Sequence, residues 1–393
     1  MESSLSLHTS HVARGLSNAL RLSSLAGVRK AILVVFGLLA AFVLMEVTLR
    51  SARYWRDGTF QAENTYDPDL GWVPTPNYAR RTRRPGRGHY STNALGARMW
   101  GSHPGSPRIL FVGDSFTQAS DVSNDETYYA RFARLSGLDT YAIGASGYGT
   151  LQERKLLERV LRVSGLRPDV FVLQFCGNDF VDNSPTLERE SIAFAQRIRP
   201  YRDLARGDVY TLGNNRLFVA ALRWSAVFRS ALTLTENVLY RTRHGYYLDL
   251  LPREVKAAAY DESVHVTGVL LAEMRRLVQG SAYAFNCQDD KLNTFDQSAA
   301  FAALARAAGF TPLVGARRFV ENGPGGAAGV LAADGGHLNA VGHQRLAGFL
   351  FREICHLETC AGRSAGAAPD APAGARDGGE DRQAQSLHIG SAP

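Results

Sequence analysis

The chain has 393 residues, 45% of them apolar and 21% charged, and a formal net charge of +7 carried by Arg far more than by Lys. That composition allows a packed core of enzyme size, and the mild basic excess suits an anionic membrane surface or an acidic polymer. No zinc-finger spacing, RNA-binding signature or heptad array points to nucleic acid, and four cysteines are too few for a disulfide scaffold.

A short N-terminal segment, residues 1–30, precedes an apolar run at residues 31–49 that only Glu46 interrupts. At 1.5 Å per residue the run is long enough to cross a hydrocarbon core, and Glu46 stands four residues before Arg50, so the two can pair on one helix face. A cleaved signal fits poorly, because about thirty residues precede the run and no small-x-small cleavage pattern follows it. The segment is therefore expected to be a retained transmembrane helix in the cell (inner) membrane. Arg14, Arg21, Arg29 and Lys30 precede it and Arg50, Arg53 and Arg56 follow it. The resulting orientation puts the N-terminus in the cytoplasm and the catalytic domain on the periplasmic or extracytoplasmic side.

Residues 50–105 form a linker and lead-in rich in Pro, Gly, Tyr and Arg, with turn signals at Asp67-Pro68, Pro74 to Asn77 and Pro85-Gly86. The basic run at 80–88 is either a contact for lipid headgroups or acidic glycan, or a solvated face near the membrane. From Arg108 strands and helices alternate. Short apolar runs at Ile109 to Val112, Thr140 to Ile143, Val170 to Phe175, Ala282 to Phe285 and Pro312 to Val314 predict buried parallel strands. Helical spacing predicts helices at Thr127 to Leu135, Leu151 to Val163, Phe295 to Ala308 and Asn339 to Ile354. The rhythm is lost at about 184–260, which reads as an insertion of mixed helix and loop near the mouth of a site. The tail, residues 361–393, has few large apolar groups and is expected to be disordered.

Open parallel sheets bind ligands beyond the carboxyl ends of their strands, and three polar motifs fall at those ends. Gly113-Asp114-Ser115 follows the first strand, Ser146-Gly147 the second and Gly177-Asn178-Asp179 the third, while Asp334-Gly-Gly-His337 lies just before the last helix. Singly, each is an ordinary turn or helix cap. Together they supply a nucleophile (Ser115), a base (His337) and an acceptor to orient that base (Asp334). Three donors for an oxyanion complete the set: the backbone N–H groups of Ser115 and Gly147 and the side-chain amide of Asn178. Ser146 lacks the second glycine of a G-x-S-x-G elbow, His343 reads as structural, and Cys176 has no base of its own. Cys355 and Cys360 are either a local disulfide or two free thiols, and the same alternatives hold for Cys176 and Cys287. No cofactor or metal is expected.

These residues resemble the SGNH (GDSL-like) hydrolase superfamily in its bacterial membrane-anchored form. GDSFTQA at 113–119, AIGASGYGT at 142–150, FCGNDF at 175–180 and DGGHLNAVGHQRLA at 334–347 look like its sequence blocks, and YDPDLGWVPTPN at 66–77 and TNALGAR at 92–98 look like its lead-in. The resemblance implies a flavodoxin-like three-layer α/β/α sandwich at 106–360, with a parallel five-stranded sheet of order 2-1-3-4-5. It also implies ester hydrolysis through an acyl-enzyme. The expected substrate is an acyl ester, with acetyl on an envelope or secreted polysaccharide foremost. The alternatives are an O-acyltransferase with the same triad and a non-catalytic glycan-binding protein on a hydrolase fold.

Overall fold

The computed structural model describes residues 5–81, 88–98, 109–189, 198–210, 216–242, 252–287, 291–292, 295–358 and 360. The expected disordered tail and most of the basic run at 80–88 lie outside the described residues.

A single helix, α1 (Leu5–Asp57), contains the apolar run and continues past both expected ends. Nothing in its sequence breaks it, since no Pro occurs before Gly58. Gly58 then takes a left-handed φ of 72° and returns its N–H to the Tyr54 carbonyl at 2.8 Å, the usual glycine stop. Within residues 28–57 lies a helical stretch apolar and long enough to cross a membrane, and the apolar side chains from Ile32 to Val47 face outward from the protein. Glu46 and Arg50 pair at 2.7 Å on one helix face.

The lead-in contains two small hairpins, β1 (Asn64–Asp67) with β2 (Gly71–Pro74) and β3 (Ala79–Arg80) with β4 (Tyr90–Ser91). The first turn is closed by Asp67, whose Oδ1 accepts the N–H groups of Asp69 and Leu70 at 2.9 Å each. Arg159 grips the same carboxylate at 2.6 and 2.9 Å and fixes the hairpin to the main domain.

The main domain alternates as expected. It runs β5 (Ile109–Gly113), α2 (Ser115–Gln118), α3 (Tyr128–Ser136), β6 (Thr140–Gly144), α4 (Thr150–Ser164), β7 (Val170–Phe175), α5 (Asn178–Asp182) and α6 (Pro185–Arg189). A hairpin, β8 (Pro200–Asp203) with β9 (Gly207–Tyr210), and two helices, α7 (Arg216–Trp224) and α8 (Ala226–Thr242), follow. The segment expected as helix and loop thus also holds paired strands, because Asp203 closes a tight turn on Gly207, which has a φ of 86°. The crossover helix α9 (Arg253–Leu277) begins within that segment and leads to β10 (Ser281–Asn286). A short ladder of β11 (Lys291–Leu292) and β12 (Phe295–Asp296) precedes α10 (Gln297–Ala307), β13 (Thr311–Leu313), α11 (Ala316–Glu321) and α12 (Ala340–Leu357).

Five strands form one parallel sheet of order β13-β10-β7-β5-β6. Counted among themselves along the chain, they stand 2-1-3-4-5. Alternate residues of each strand face opposite sides. Leu110, Val112, Phe171 and Leu173 pack with Leu157 of α4, Met274 of α9 and Phe301 of α10. Ile109, Phe111, Val170 and Val172 pack with Phe132 of α3 and Leu346 and Leu350 of α12. Both faces are covered, which is why every residue of β5 and β7 is buried and the runs read as continuously apolar. Each large side chain so enclosed contributes about 1.5–3 kcal/mol.

His343 belongs to this packing. It is 2% exposed, stacks parallel to Tyr128 at 5.9 Å, and its Nδ1 accepts the Tyr128 N–H at 3.2 Å. Burial, with the charges of Arg98, Arg131 and His337 adding to it, pushes its pKa down from 6.5 to about 3. The unfolded chain takes up a proton as the pH falls through about 6.5, whereas the folded chain refuses it until about 3. The contribution of neutral His343 is therefore complete above pH 6.5 and lost as the pH falls through this window. Buried carboxyls such as Asp179, raised by burial, act with the opposite sign, so a difference measurement isolates the histidine. Urea unfolding at pH 6.5 and 5 should show the parent losing about 2 kcal/mol more than His343→Asn. Equal losses would mean that His343 is not held neutral.

Candidate active site

The turn from β5 into α2 leaves one residue of α2 accessible. Gly113 is required there: a Cβ would lie 2.3 Å from Gln174 Oε1 and 2.5 Å from Thr117 Oγ1. Gln174, on β7, uses that oxygen to accept the N–H groups of Asp114 and Thr117 and the Thr117 hydroxyl at 3.2, 3.1 and 2.8 Å. Asp114 caps α2 by accepting the Phe116 N–H at 2.9 Å. At the other end Ala119 takes a left-handed φ of 51°. The buried guanidinium of Arg98 gathers the carbonyls of Gln118 and Ala119 at 2.6 and 2.7 Å, groups that a one-turn helix leaves unsatisfied. Phe116, Thr117 and Gln118 are buried, and Ser115 is half-buried at the sheet edge.

The loop before α12 carries the base. Asp334 Oδ1 accepts the N–H groups of Gly336 and His337 at 3.0 and 3.1 Å, and Oδ2 bonds His337 Nδ1. The loop is closed by Ala332 N–H on the His337 carbonyl at 2.8 Å and anchored by buried Leu338. The imidazole lies against Phe116, the residue after Ser115, with ring centroids 5.2 Å apart. Partial burial raises the Asp334 carboxyl, but the bonds from His337 and the two backbone N–H groups outweigh it and hold the pKa below the usual range. A second carboxylate, Asp121, stands beside this pair, with one donor atom from each of the three residues within 4.8 Å of the others.

Gly147 lies in the loop after β6 with a φ of 71°, a conformation that side chains resist. Trp72 of β2 supports this loop: its Nε1 donates to the Ser146 carbonyl at 2.9 Å, and its ring edge is 3.7 Å from where a Gly147 Cβ would be. Gln118 accepts the Ser146 N–H, tying the loop to α2. Asn178, half-buried at the start of α5, donates Nδ2 to Asp182 at 2.8 Å, which leaves its second amide hydrogen for another acceptor. Asp182 in turn meets Arg199 at 3.2 Å, and Arg199 bonds Glu188 at 2.7 and 3.1 Å while its guanidinium lies 5.1 Å from the Trp72 ring. Burial pushes Asp182 up to about 7 against the pull of Arg199.

The structure thus brings Ser115, Gly147 and Asn178 to the carboxyl edge of the sheet, with the Asp334–His337 pair beside α2. A cavity of about 900 Å³ between Arg162, Asp169 and Ser281 lies at the amino ends of the strands, away from this chemistry. Cys176, next to the third motif, is bonded to Cys287, and Cys355 is bonded to Cys360. The supporting residues Trp72, Arg98, Asp182 and Arg199 were not picked out as site residues from the sequence. Trp72 and Arg98 stand within the two lead-in stretches that carry the resemblance. Arg199 has no local signal, because its partners lie far away along the chain.

A bonded acid–imidazole pair, a serine at a strand-to-helix turn and a glycine and asparagine at neighbouring strand ends define a serine hydrolase of the SGNH type. The chain belongs to the GDSL-like lipase/acylhydrolase family, whose sequence model matches residues 111–345. Among solved structures it is similar to TesA, at 14% identity over 64% of this chain and 99% of that one, with a TM-score of 0.35. It is similar at 12% identity to a carbohydrate esterase family 2 enzyme from Corynascus thermopiles (Myceliophthora fergusii), over 66% and 68% of the two chains (TM-score 0.33). The acetylxylan esterase Axe2 from Geobacillus stearothermophilus is 14% identical over 64% and 96% (TM-score 0.32). No match is found among curated proteins.

Proposed function

We propose that the protein hydrolyses an acyl ester through a Ser115–His337–Asp334 triad and an acyl-enzyme. The observation that carries this reading is the Asp334–His337 pair packed on Phe116 beside Ser115. With Nδ1 engaged by Asp334, Nε2 of the imidazole serves as the base. Ser115 Oγ attacks the ester carbonyl as its proton passes to His337 Nε2, and the carbonyl oxygen becomes an oxyanion. The backbone N–H groups of Ser115 and Gly147 and the free amide hydrogen of Asn178 stabilise that charge. Collapse expels the alcohol, which takes the proton from His337. Water then attacks the acyl-serine, gives its proton to His337, and the carboxylic acid leaves as Ser115 is reprotonated.

The substrate we favour is a short acyl ester, acetyl on an envelope or secreted polysaccharide, because a membrane-anchored domain with a basic lead-in is suited to a polymer near the membrane. An extracytoplasmic setting is supported by the two disulfides, which persist in oxidising compartments. Retention of α1 is supported by its contacts with the folded domain: Glu46 accepts the N–H groups of Ala226 and Val227 at 2.8 and 3.0 Å. The test is turnover of aryl acetate, butyrate and octanoate by the full chain in detergent. Preference for acetate supports the short-acyl reading, and preference for octanoate overturns it. A folded protein with no turnover of any ester, but with transfer to a sugar acceptor, would make it an acyltransferase.

A further inference from the structure

The junction between α7 and α8 is fastened to the end of the apolar run of α1. Glu46 accepts from the Ser225 hydroxyl at 3.1 Å as well as from Ala226 and Val227, and Arg50 donates to the Trp224 carbonyl. The two helices pack on each other through Phe218 and Phe228, whose rings meet edge to face at 5.5 Å. Each then turns an apolar stripe outward. On α7 the exposed residues Leu217, Ala220 and Trp224 recur at spacings of three and four, with Leu217 85% and Trp224 66% exposed. On α8, Ala231, Leu234 and Val238 repeat the same spacing, with Leu234 64% exposed.

The level of this hairpin relative to the bilayer follows from its attachment. The exposed apolar stretch of α1 from Ile32 to Val47 rises roughly 24 Å, so a bilayer core of about 30 Å centred on it extends about two residues past Val47, to the level of Arg50, whose guanidinium holds the Trp224 carbonyl. Trp224 and the start of α8 therefore stand at the hydrocarbon boundary, where tryptophan is favoured. Arg229 stands close enough to Arg50 and Arg53 at this level to feel their charge, with the Glu46 carboxylate among them.

From these contacts we infer that α7 and α8 are an interfacial hairpin bedded in the lipid leaflet beside α1, so that the enzyme rests on the membrane as well as being tethered to it. The occupant of the two apolar stripes is the bilayer, because the hairpin continues the lipid-facing surface of α1 through the Glu46 and Arg50 bonds. Lying on the membrane fixes the height of the catalytic domain above it, and only substrates near the bilayer surface would then reach the site.

The inference rests on α1 being a retained membrane helix, and the experiment separates the two. The full chain is reconstituted in phosphatidylcholine vesicles with or without bromine on the acyl chains. Carbonate washing reads the anchor, and the tryptophan emission of the parent minus that of Trp224→Phe reads the hairpin. A washed, vesicle-bound protein whose Trp224 emission is blue-shifted, quenched by bromolipid and shielded from acrylamide supports the inference. Nitroxide-labelled Leu234→Cys should likewise be more accessible to oxygen than to a water-soluble nickel chelate. Vesicle-bound protein with Trp224 indifferent to bromolipid and quenched by acrylamide overturns the hairpin while the anchor stands. Release of the protein by carbonate removes the anchor and the inference with it.

Discussion

Alanine in place of Ser115 is expected to lower kcat on short aryl esters by on the order of 10⁴-fold or more, with the fold unchanged. The turn that presents Ser115 is held by Gln174, by the Asp114 cap and by Arg98. Removing a single half-exposed hydroxyl therefore leaves α2 in place. The rate still observed would come from the oxyanion donors and substrate binding, which the substitution does not touch. Replacing His337 as well should add little, since nucleophile and base act as a unit. The measurement is steady-state turnover with near-ultraviolet circular dichroism as the check on folding, and labelling by a fluorophosphonate that should vanish in the variant. Undiminished turnover in Ser115→Ala would remove the triad proposed for this chain.

Arg199→Met is expected to cost about 3–5 kcal/mol of stability, because removing one member of a buried ion network leaves the others uncompensated. Arg199 is 2% exposed, and of the carboxylates it serves Glu188 is fully buried and Asp182 is 12% exposed. Methionine fills the volume but neutralises neither. For a domain of this size the loss corresponds to a fall in melting temperature of roughly 10 °C. A kinetic effect should accompany it. Asp182, deprived of the arginine that lowers its pKa, holds a proton to higher pH and is a poorer acceptor for the Asn178 amide. The fall in kcat should then approach, without exceeding, that of Asn178→Ala, about 100-fold for the loss of one oxyanion donor. KM should change little, and Arg199→Met should add almost nothing in the Asn178→Ala background. Arg199→Lys should recover part of the stability and less of the rate, because a point charge cannot span Glu188, Asp182 and Gln152 as the planar fork does. Thermal unfolding together with initial rates decides the matter. A variant as stable and as fast as the parent would show that the network supports neither fold nor site.

Much of this architecture is legible along the chain because its causes are local. The five buried strands announce themselves as short apolar runs, since both sheet faces are covered. The helices α3, α4 and α12 follow from apolar spacing with Thr127 and Asn339 as caps, each accepting a backbone N–H three residues on. Asp334 and His337 are three residues apart, and Glu46 and Arg50 four, so each pair meets within one loop or one helix face. Even the gathering of Ser115, Gly147 and Asn178 could be anticipated, because parallel strands all end at the same edge of a sheet.

What the chain does not announce are the pairings between distant segments. Trp72 reaches Ser146 across 74 positions, Cys176 meets Cys287 across 111, and Glu46 accepts from Ser225 across 179. None of these residues has a periodicity or a neighbour that names its partner. The apolar run at 31–49 is legible as a helix but the helix's far end is not, because hydropathy ends at Arg50 whereas backbone hydrogen bonding continues to Gly58, the next residue that can stop it. The hairpin of β8 and β9 was hidden for a related reason. Its residues are mostly polar, and their pairing depends on Arg202 joining Asp208 to Glu273 of α9 at 2.7 Å each, an ion pair that exists only once the crossover helix has packed. Sequence therefore determined the sheet, its edge and the chemical groups collected there. Tertiary structure decided what braces those groups and how the domain is fastened to its long apolar N-terminal helix, because a buried ion pair or a docked helix end depends on proximity in space and leaves no regular mark along the chain.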